Sequence, residues 1–181
     1  MMLQKENSCL IVIDVQARLL PGIYEGEQLV QYCDSLVELA QALDIPVYGT
    51  EQYPEGVGPT ADGLRERVGQ DQFIGKTFFS CVDAPQFQDK LASISQDQVV
   101  LCGMEAHACV LQSAMSFKAM GKQVFVVADA ISARHPKDTD YAIARMRDEG
   151  IKIITREMVG FEWLRRSDAE GFKLFSKKFL R

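Results

Sequence analysis

The chain has 181 residues, 47% of them hydrophobic, so it is long enough to bury a core and too apolar to be disordered. Its 25 acidic residues outnumber its 20 basic ones, and the net charge of −5 argues against broad binding to nucleic-acid phosphates. The polar N-terminus is unlike a signal peptide, and no apolar run approaches the ~20 residues of a membrane span. We therefore expect a single domain over residues 1–181 that contacts neither nucleic acid nor membrane.

Five cysteines, odd in number and without a C-x-x-C pair, favour free thiols in a reducing cytoplasm. Strands and helices alternate along the chain. Strands are predicted over 9–13, 46–50, 72–75, 99–102, 123–128 and 151–155. Helices are predicted over 25–43, 64–68, 84–94, 138–149, 157–165 and 169–180, with one more between Gly103 and Gly121. This alternation predicts an α/β fold with a mostly parallel, doubly wound sheet, in which ligands bind beyond the carboxyl ends of the strands.

The stretch from Val99 to Val110 predicts a buried strand, a turn at Gly103 and a helix whose first turn carries Cys109. The first turn of a helix offers unpaired N–H groups and the positive end of the helix dipole. We expect this position to lower the pKa of the Cys109 thiol and to provide donors for an oxyanion. The alternative is that Cys109 is a small buried core residue, as free cysteines often are.

Three reactive side chains fall at or just beyond predicted strand ends, namely Asp14, Lys76 and Cys109. Asp14 can accept the thiol proton, Lys76 can stabilise the carboxylate and the thiolate, and Cys109 can attack a carbonyl carbon. Each has a structural alternative: Asp14 as a turn residue, Lys76 as a solvated loop lysine and Cys109 as part of the core. The three together are typical of a nucleophilic site.

Four blocks of sequence, in this order and spacing, resemble the isochorismatase-like hydrolases, also called the cysteine hydrolase superfamily. The blocks are Ile13–Gln16, Gly75–Ser80, Gly103–Val110 and Asp129–Ala130. The segment Gly49–Pro54 is similar to the isochorismatase-domain-containing subgroup. The resemblance implies a three-layer α/β/α, Rossmann-like fold with a six-stranded, mostly parallel sheet, and frequent homo-oligomers.

The family triad of Asp, Lys and Cys corresponds to Asp14, Lys76 and Cys109. The implied reaction is hydrolysis of an amide-type C–N bond of a small molecule through a thioester. The resemblance also implies a cis peptide bond between Met104 and Glu105, which would place the Glu105 amide beside that of Cys109 as an oxyanion hole. True isochorismatases lack the cysteine, so isochorismate is not the expected substrate.

Nicotinamidases of this family hold zinc with an Asp and histidines after the second strand. The corresponding segment here, Thr50–Tyr53, has no histidine, so we expect neither a metal nor another cofactor, and a nicotinamidase activity becomes a secondary alternative. Gln16, Tyr53 and His107 are the candidate substrate-binding residues. The alternative role for Gln16 is hydrogen bonding to neighbouring loops, and that for His107 is a helix-start residue with a satisfied ring.

Two further interpretations stay open. One is a non-catalytic binding or scaffold protein that keeps the fold. The other is a thiol-based redox protein, and the absence of a C-x-x-C pair counts against it. Aromatic Phe78, Phe79 and Trp163 belong either to a pocket or to the core. The Phe172, Phe175 and Phe179 stripe on the last helix predicts either packing on its own domain or an oligomer interface.

Overall fold

The computed structural model describes residues 1–180, and its centre is one six-stranded sheet in which every neighbouring pair is parallel. The sheet order is β3-β2-β1-β4-β5-β6. The strands are β1 Ser8–Ile13, β2 Val47–Gln52, β3 Phe73–Lys76, β4 Gln98–Met104, β5 Gln123–Ser132 and β6 Lys152–Ile154. The direction of winding reverses between β1 and β4, which is where ligands bind in folds of this kind.

Helices cover both faces of the sheet, which confirms the three-layer α/β/α prediction. They are α1 Gly26–Ala42, α2 Pro54–Val57, α3 Asp62–Val68, α4 Gln88–Ser93, α5 Leu111–Ala119, α6 Pro136–Asp148, α7 Arg156–Leu164 and α8 Phe172–Phe179. One core lies under α1, α3, α7 and α8, and the other lies under α4, α5 and α6.

Strand β1 shows why an unbroken apolar run predicts a central parallel strand. Leu10 and Val12 point into one core, whereas Cys9, Ile11 and Ile13 point into the other. All five side chains are fully buried, because side chains alternate between faces and both faces are covered by helices.

Several element boundaries differ from the sequence predictions. Strand β2 continues to Gln52 and β5 continues to Ser132, so Asp129 lies within a strand rather than after one. A register shift between β4 and β5 accommodates the longer strand. The predicted helix over 84–94 is divided into a 3-10 turn at Pro85–Phe87 and α4, and the predicted loop over 51–60 contains α2.

The phenylalanine stripe of α8 packs on its own domain. Phe175 is fully buried, Phe179 is nearly so, and the Phe175 ring packs edge-on against Phe161 at a centroid distance of 4.9 Å. The stripe therefore supplies no evidence for an oligomer interface. Within residues 1–180 there is no helix with the length and apolar character to cross a bilayer.

Candidate active site

Four adjacent strands deliver polar side chains to one edge of the sheet. Lys76 is the last residue of β3, Gln52 is the last of β2, and Asp14 follows β1 directly. Beyond the end of β4, a π-helical turn over Ala106–Val110 carries Cys109 into α5. Because β3, β2, β1 and β4 lie side by side in that order, their carboxyl ends form one continuous site.

A buried ion pair lies at the centre of this edge. The Lys76 Nζ donates to Asp14 Oδ2 at 2.7 Å, and Asp14 Oδ1 accepts from the Thr50 hydroxyl at 2.7 Å. Asp14 adopts a left-handed conformation with φ 50°, which aspartate tolerates better than most residues. Both charged side chains are withdrawn from solvent, so their charges are compensated by each other and by hydrogen bonds rather than by water.

Gln52 is the site residue that the sequence predictions missed. Its Oε1 accepts from Lys76 Nζ at 2.6 Å and lies 3.9 Å from Cys109 Sγ, while its Nε2 donates to the Thr77 carbonyl at 2.9 Å. The signal in the sequence was that Gln52 closely follows the second predicted strand. That strand was predicted to end at Thr50, so Gln52 was assigned to the loop. Extending that strand by two residues places Gln52 at the carboxyl edge.

Gln16 holds Gln52 in place. The Gln16 side-chain amide donates to the Gln52 carbonyl at 2.9 Å and accepts from the Gln52 amide at 2.7 Å. It also donates to the Gly58 carbonyl at 2.6 Å, and the residue is fully buried. The structure thus shows for Gln16 the loop-holding hydrogen bonds that the sequence left open as one of its two roles.

Cys109 lies beside the ion pair. Its Sγ is 3.9 Å from Gln52 Oε1, which also accepts from Lys76 Nζ, and the charges of Asp14 and Lys76 both act on the pKa of the thiol. Burial, together with the negative charge of Asp14, raises the pKa of the Cys109 thiol to about 12, and the Lys76 ammonium only partly opposes this. The expectation that the helix start lowers this pKa is therefore wrong, because desolvation outweighs the positive groups nearby.

The backbone before Cys109 has an unusual course. The Met104–Glu105 peptide bond is cis, which confirms the prediction. Gly103 has φ +117°, and a Cβ at this position would lie 2.1 Å from the Ile13 carbonyl oxygen on β1. Within the described chain, the Glu105 carbonyl accepts from the amides of Ala108 and Val110 but not from that of Cys109.

The remaining predicted residues take different positions. His107 is half-buried in the π-helical turn, and its Nδ1 is buried without a hydrogen-bond partner among residues 1–180. Tyr53 is largely exposed, and its ring lies against Gly56. Trp163 is a core residue whose Nε1 donates to the Ser8 hydroxyl at 3.2 Å, at the opposite end of β1, whereas Phe78 and Phe79 are exposed.

The cysteines are free, and none of the described side chains forms a metal-binding cluster. All five thiols are buried, but only Cys109 retains measurable exposure, at 7%. Residues 1–180 hold no group of three or more His, Cys, Asp or Glu side chains arranged to bind a metal ion.

Comparison with known families assigns the chain to one of them. The family model for the isochorismatase domain matches residues 8–158, a segment that contains every residue of the site described above. The chain belongs to the isochorismatase family. The mouse isochorismatase domain-containing protein 2A is 38% identical over 178 residues, covering 95% of this chain and 82% of the mouse protein.

Solved structures of isochorismatase-like proteins have the same fold. The MAR1 ribonuclease from Caenorhabditis elegans is 32% identical and superimposes with a TM-score of 0.92, covering all of this chain and 93% of its own. The YcaC gene product of Escherichia coli, an octameric hydrolase of unknown specificity, is 25% identical and superimposes with a TM-score of 0.91. The match covers 99% of this chain and 91% of the YcaC chain. Membership of this family supports hydrolase chemistry for the chain.

Proposed function

We propose that the protein is a metal-independent cysteine hydrolase that cleaves an amide-type C–N bond of a small molecule through a thioester acyl-enzyme. The observation that carries this proposal is that the Asp14–Lys76 ion pair and Cys109 converge at one edge of the sheet, where Gln52 Oε1 lies 2.6 Å from Lys76 Nζ and 3.9 Å from Cys109 Sγ. A base, a cation and a nucleophile are thus brought together without a histidine.

The direction of the Cys109 pKa determines how attack begins. Since the thiol is neutral at physiological pH, it must lose its proton as it attacks, and Asp14 is the adjacent acceptor. The Sγ–H proton passes to Asp14 while Sγ bonds to the amide carbonyl carbon. The Lys76 ammonium stabilises the negative charge, which lies on the Asp14 carboxylate before the proton transfer and develops on the substrate side as Sγ attacks.

The tetrahedral intermediate then collapses. Its oxyanion accepts hydrogen bonds from the backbone amides of Glu105 and Cys109, which we assign as the oxyanion hole. The C–N bond breaks, and the leaving nitrogen takes the proton from Asp14 and departs as ammonia or an amine. Water attacks the thioester, gives a proton to Asp14 and releases the acid as Cys109 recovers its proton.

Substrate contacts come from side chains around this centre. His107 lies in the same turn as Cys109, two residues before it, and Tyr53 follows Gln52 at the edge of the site. The chemistry as proposed uses neither a metal nor a cofactor. We also propose that the protein works as a homo-oligomer, as the octameric relative suggests, and in the cytoplasm, which suits its free thiols.

The test is ammonia release from a panel of small primary amides by wild type, Cys109→Ala and a control variant, Cys102→Ala. Loss of the nucleophile is expected to reduce turnover at least about 10³-fold, whereas the buried β4 cysteine Cys102 is not needed for chemistry. Hydroxylamine should convert the acyl-enzyme to a hydroxamate detected by mass spectrometry. Equal activity of Cys109→Ala and wild type would contradict the proposal.

The same panel separates the alternatives. Nicotinamide among the amides, with chelated and zinc-restored protein, tests a nicotinamidase. Single-stranded RNA tests a ribonuclease like the nematode relative, which we do not expect of a chain with net charge −5. A binding or scaffold role predicts no turnover of any substrate. Light scattering at micromolar concentration tests self-association, and a monomer would contradict that part of the proposal.

A further inference from the structure

A groove runs beside the site along the segment of residues 77–83, which leaves β3 and crosses α5. It has a volume of about 400 Å³ and is lined by Thr77, Phe78, Phe79, Ser80, Asp83 and Gln112. Phe78 and Phe79 are 50% and 55% exposed. Two adjacent phenyl rings held half in water form an apolar surface of the kind that marks a binding site.

The groove connects directly to the reactive groups. The Phe78 carbonyl accepts from Lys76 Nζ at 3.2 Å, and the Thr77 carbonyl accepts from the Gln52 side chain at 2.9 Å. Gln112 follows Cys109 by three residues, which places both on the same side of the helix. The groove therefore begins within one helical turn of Cys109 and at the residues that follow Lys76.

Hydrogen bonds to α5 hold the segment that lines the groove in place. The Cys81 amide donates to the Ser113 hydroxyl at 3.1 Å, and the Ser80 hydroxyl donates to that of Ser116 at 3.0 Å. Ser116 in turn donates to Asp83 at 3.2 Å. These bonds tie the segment to α5, so little conformational entropy is lost when a ligand binds.

The charges around the groove select against anions. Asp83 is the one charged side chain among its lining residues. The nearest cation, Lys76, is buried, and its ammonium already donates to Asp14, Gln52 and the Phe78 carbonyl. No lining side chain offers a positive charge to a carboxylate, and burying an uncompensated carboxylate against Asp83 would be unfavourable.

We propose that this groove binds the apolar, preferably aromatic, part of an uncharged amide substrate and that Phe78 and Phe79 determine specificity. The proposal rests on the hydrolase function proposed above and names the substrate class for it. The contact area of a phenyl ring partly covered by Phe78 and Phe79 corresponds to a preference of about fivefold to tenfold.

The experiment measures alkylation of Cys109, which does not depend on turnover. Rate constants for iodoacetamide, its N-phenyl derivative iodoacetanilide and the anion iodoacetate are measured by peptide mapping, each divided by its rate with glutathione. We expect iodoacetanilide to react about fivefold faster than iodoacetamide on this scale, and iodoacetate about tenfold more slowly.

The variants identify the residues responsible. Phe78→Ala and Phe79→Ala should each reduce the iodoacetanilide preference at least twofold, and Asp83→Asn should raise the iodoacetate rate relative to that of iodoacetamide. Phe161→Ala is the matched control, since Phe161 is also 50% exposed but lies on α7, on the other face of the sheet. Circular dichroism and light scattering accompany every variant.

The outcomes separate the two proposals. Equal normalised rates for the three reagents in wild type would overturn the groove assignment, whether or not amides are hydrolysed. The same holds if Phe78→Ala and Phe79→Ala dissociate an oligomer, because the groove would then be covered by a second copy. A clear iodoacetanilide preference without hydrolysis of any amide would keep the groove and reject the hydrolase.

Discussion

Removing the Lys76 ammonium tests the central ion pair most directly. Lys76 has three N–H donors, and the structure uses all of them, on Asp14 Oδ2 at 2.7 Å, Gln52 Oε1 at 2.6 Å and the Phe78 carbonyl at 3.2 Å. The substitution Lys76→Met keeps the length and apolar stem of the side chain. It leaves Asp14 buried, with the Thr50 hydroxyl as its remaining side-chain partner.

The magnitude follows from burial. The side chains of Lys76 and Asp14 are 1% and 2% exposed, so water cannot replace the lost cation. Breaking a buried pair by removing one partner costs about 3–5 kcal/mol, a large part of the ~5–15 kcal/mol that stabilises a typical domain. The double variant Asp14→Asn/Lys76→Met removes both charges. It should be more stable than the sum of the two single variants by about 2 kcal/mol.

The assay is urea unfolding at pH 7, with the free energy of unfolding extrapolated to zero denaturant. The control is Lys118→Met, which breaks an exposed contact of 4.0 Å to Glu149 and should cost under about 1 kcal/mol. If Lys76→Met costs no more than this control, or if the double-variant cycle is additive, the ion pair does not have the role inferred for it.

Three further predictions follow from the geometry. Gly103→Ala should lower the free energy of unfolding by at least about 3 kcal/mol, because Gly103 has a positive φ and a Cβ there would clash with the Ile13 carbonyl. Gly63→Ala, the control on α3, should leave that free energy unchanged or raise it, and equal effects of the two substitutions would refute the prediction. Limited iodoacetamide should label Cys109 first, because Cys109 is the one cysteine with any solvent exposure, and faster labelling of Cys81 would contradict the assignment. Burial raises the pKa of Cys81 to about 12, so the folded state keeps a proton that the unfolded state loses above about pH 9, and stability must fall as pH rises. Cys81→Ser should make that decline shallower by about 1.4 kcal/mol per pH unit between pH 9 and 11, and an unchanged slope would refute it.

Much of the fold and part of the candidate site follow from local sequence. The apolar run before Asp14 predicts β1 because only a strand covered on both faces needs side chains without polar alternation. The break at Gly103 predicts the turn that leads to Cys109. Since every strand of a parallel sheet ends at the same edge, three reactive residues at or beyond strand ends are expected to converge there. Asp14 and Lys76 form an ion pair at this edge, and Gln52 Oε1 lies between Lys76 and Cys109.

The role of Gln52 was decided by the tertiary structure. Its contacts with Lys76 and Cys109 exist because β2 lies between β3 and β1, and no local pattern of residues encodes the order of strands in a sheet. The same order lets the Gln16 side chain reach the Gln52 backbone across 36 residues of sequence and support it.

The pKa of Cys109 shows the physical reason most clearly. The sequence alone determined that this thiol stands near the start of a helix, a position that favours its charged form. Only the tertiary structure determined how much protein covers it and that the Asp14 carboxylate approaches it, and these two effects raise the pKa to about 12. Helix position is set by neighbours in the chain, whereas desolvation and charge are set by residues that folding brings together from distant strands.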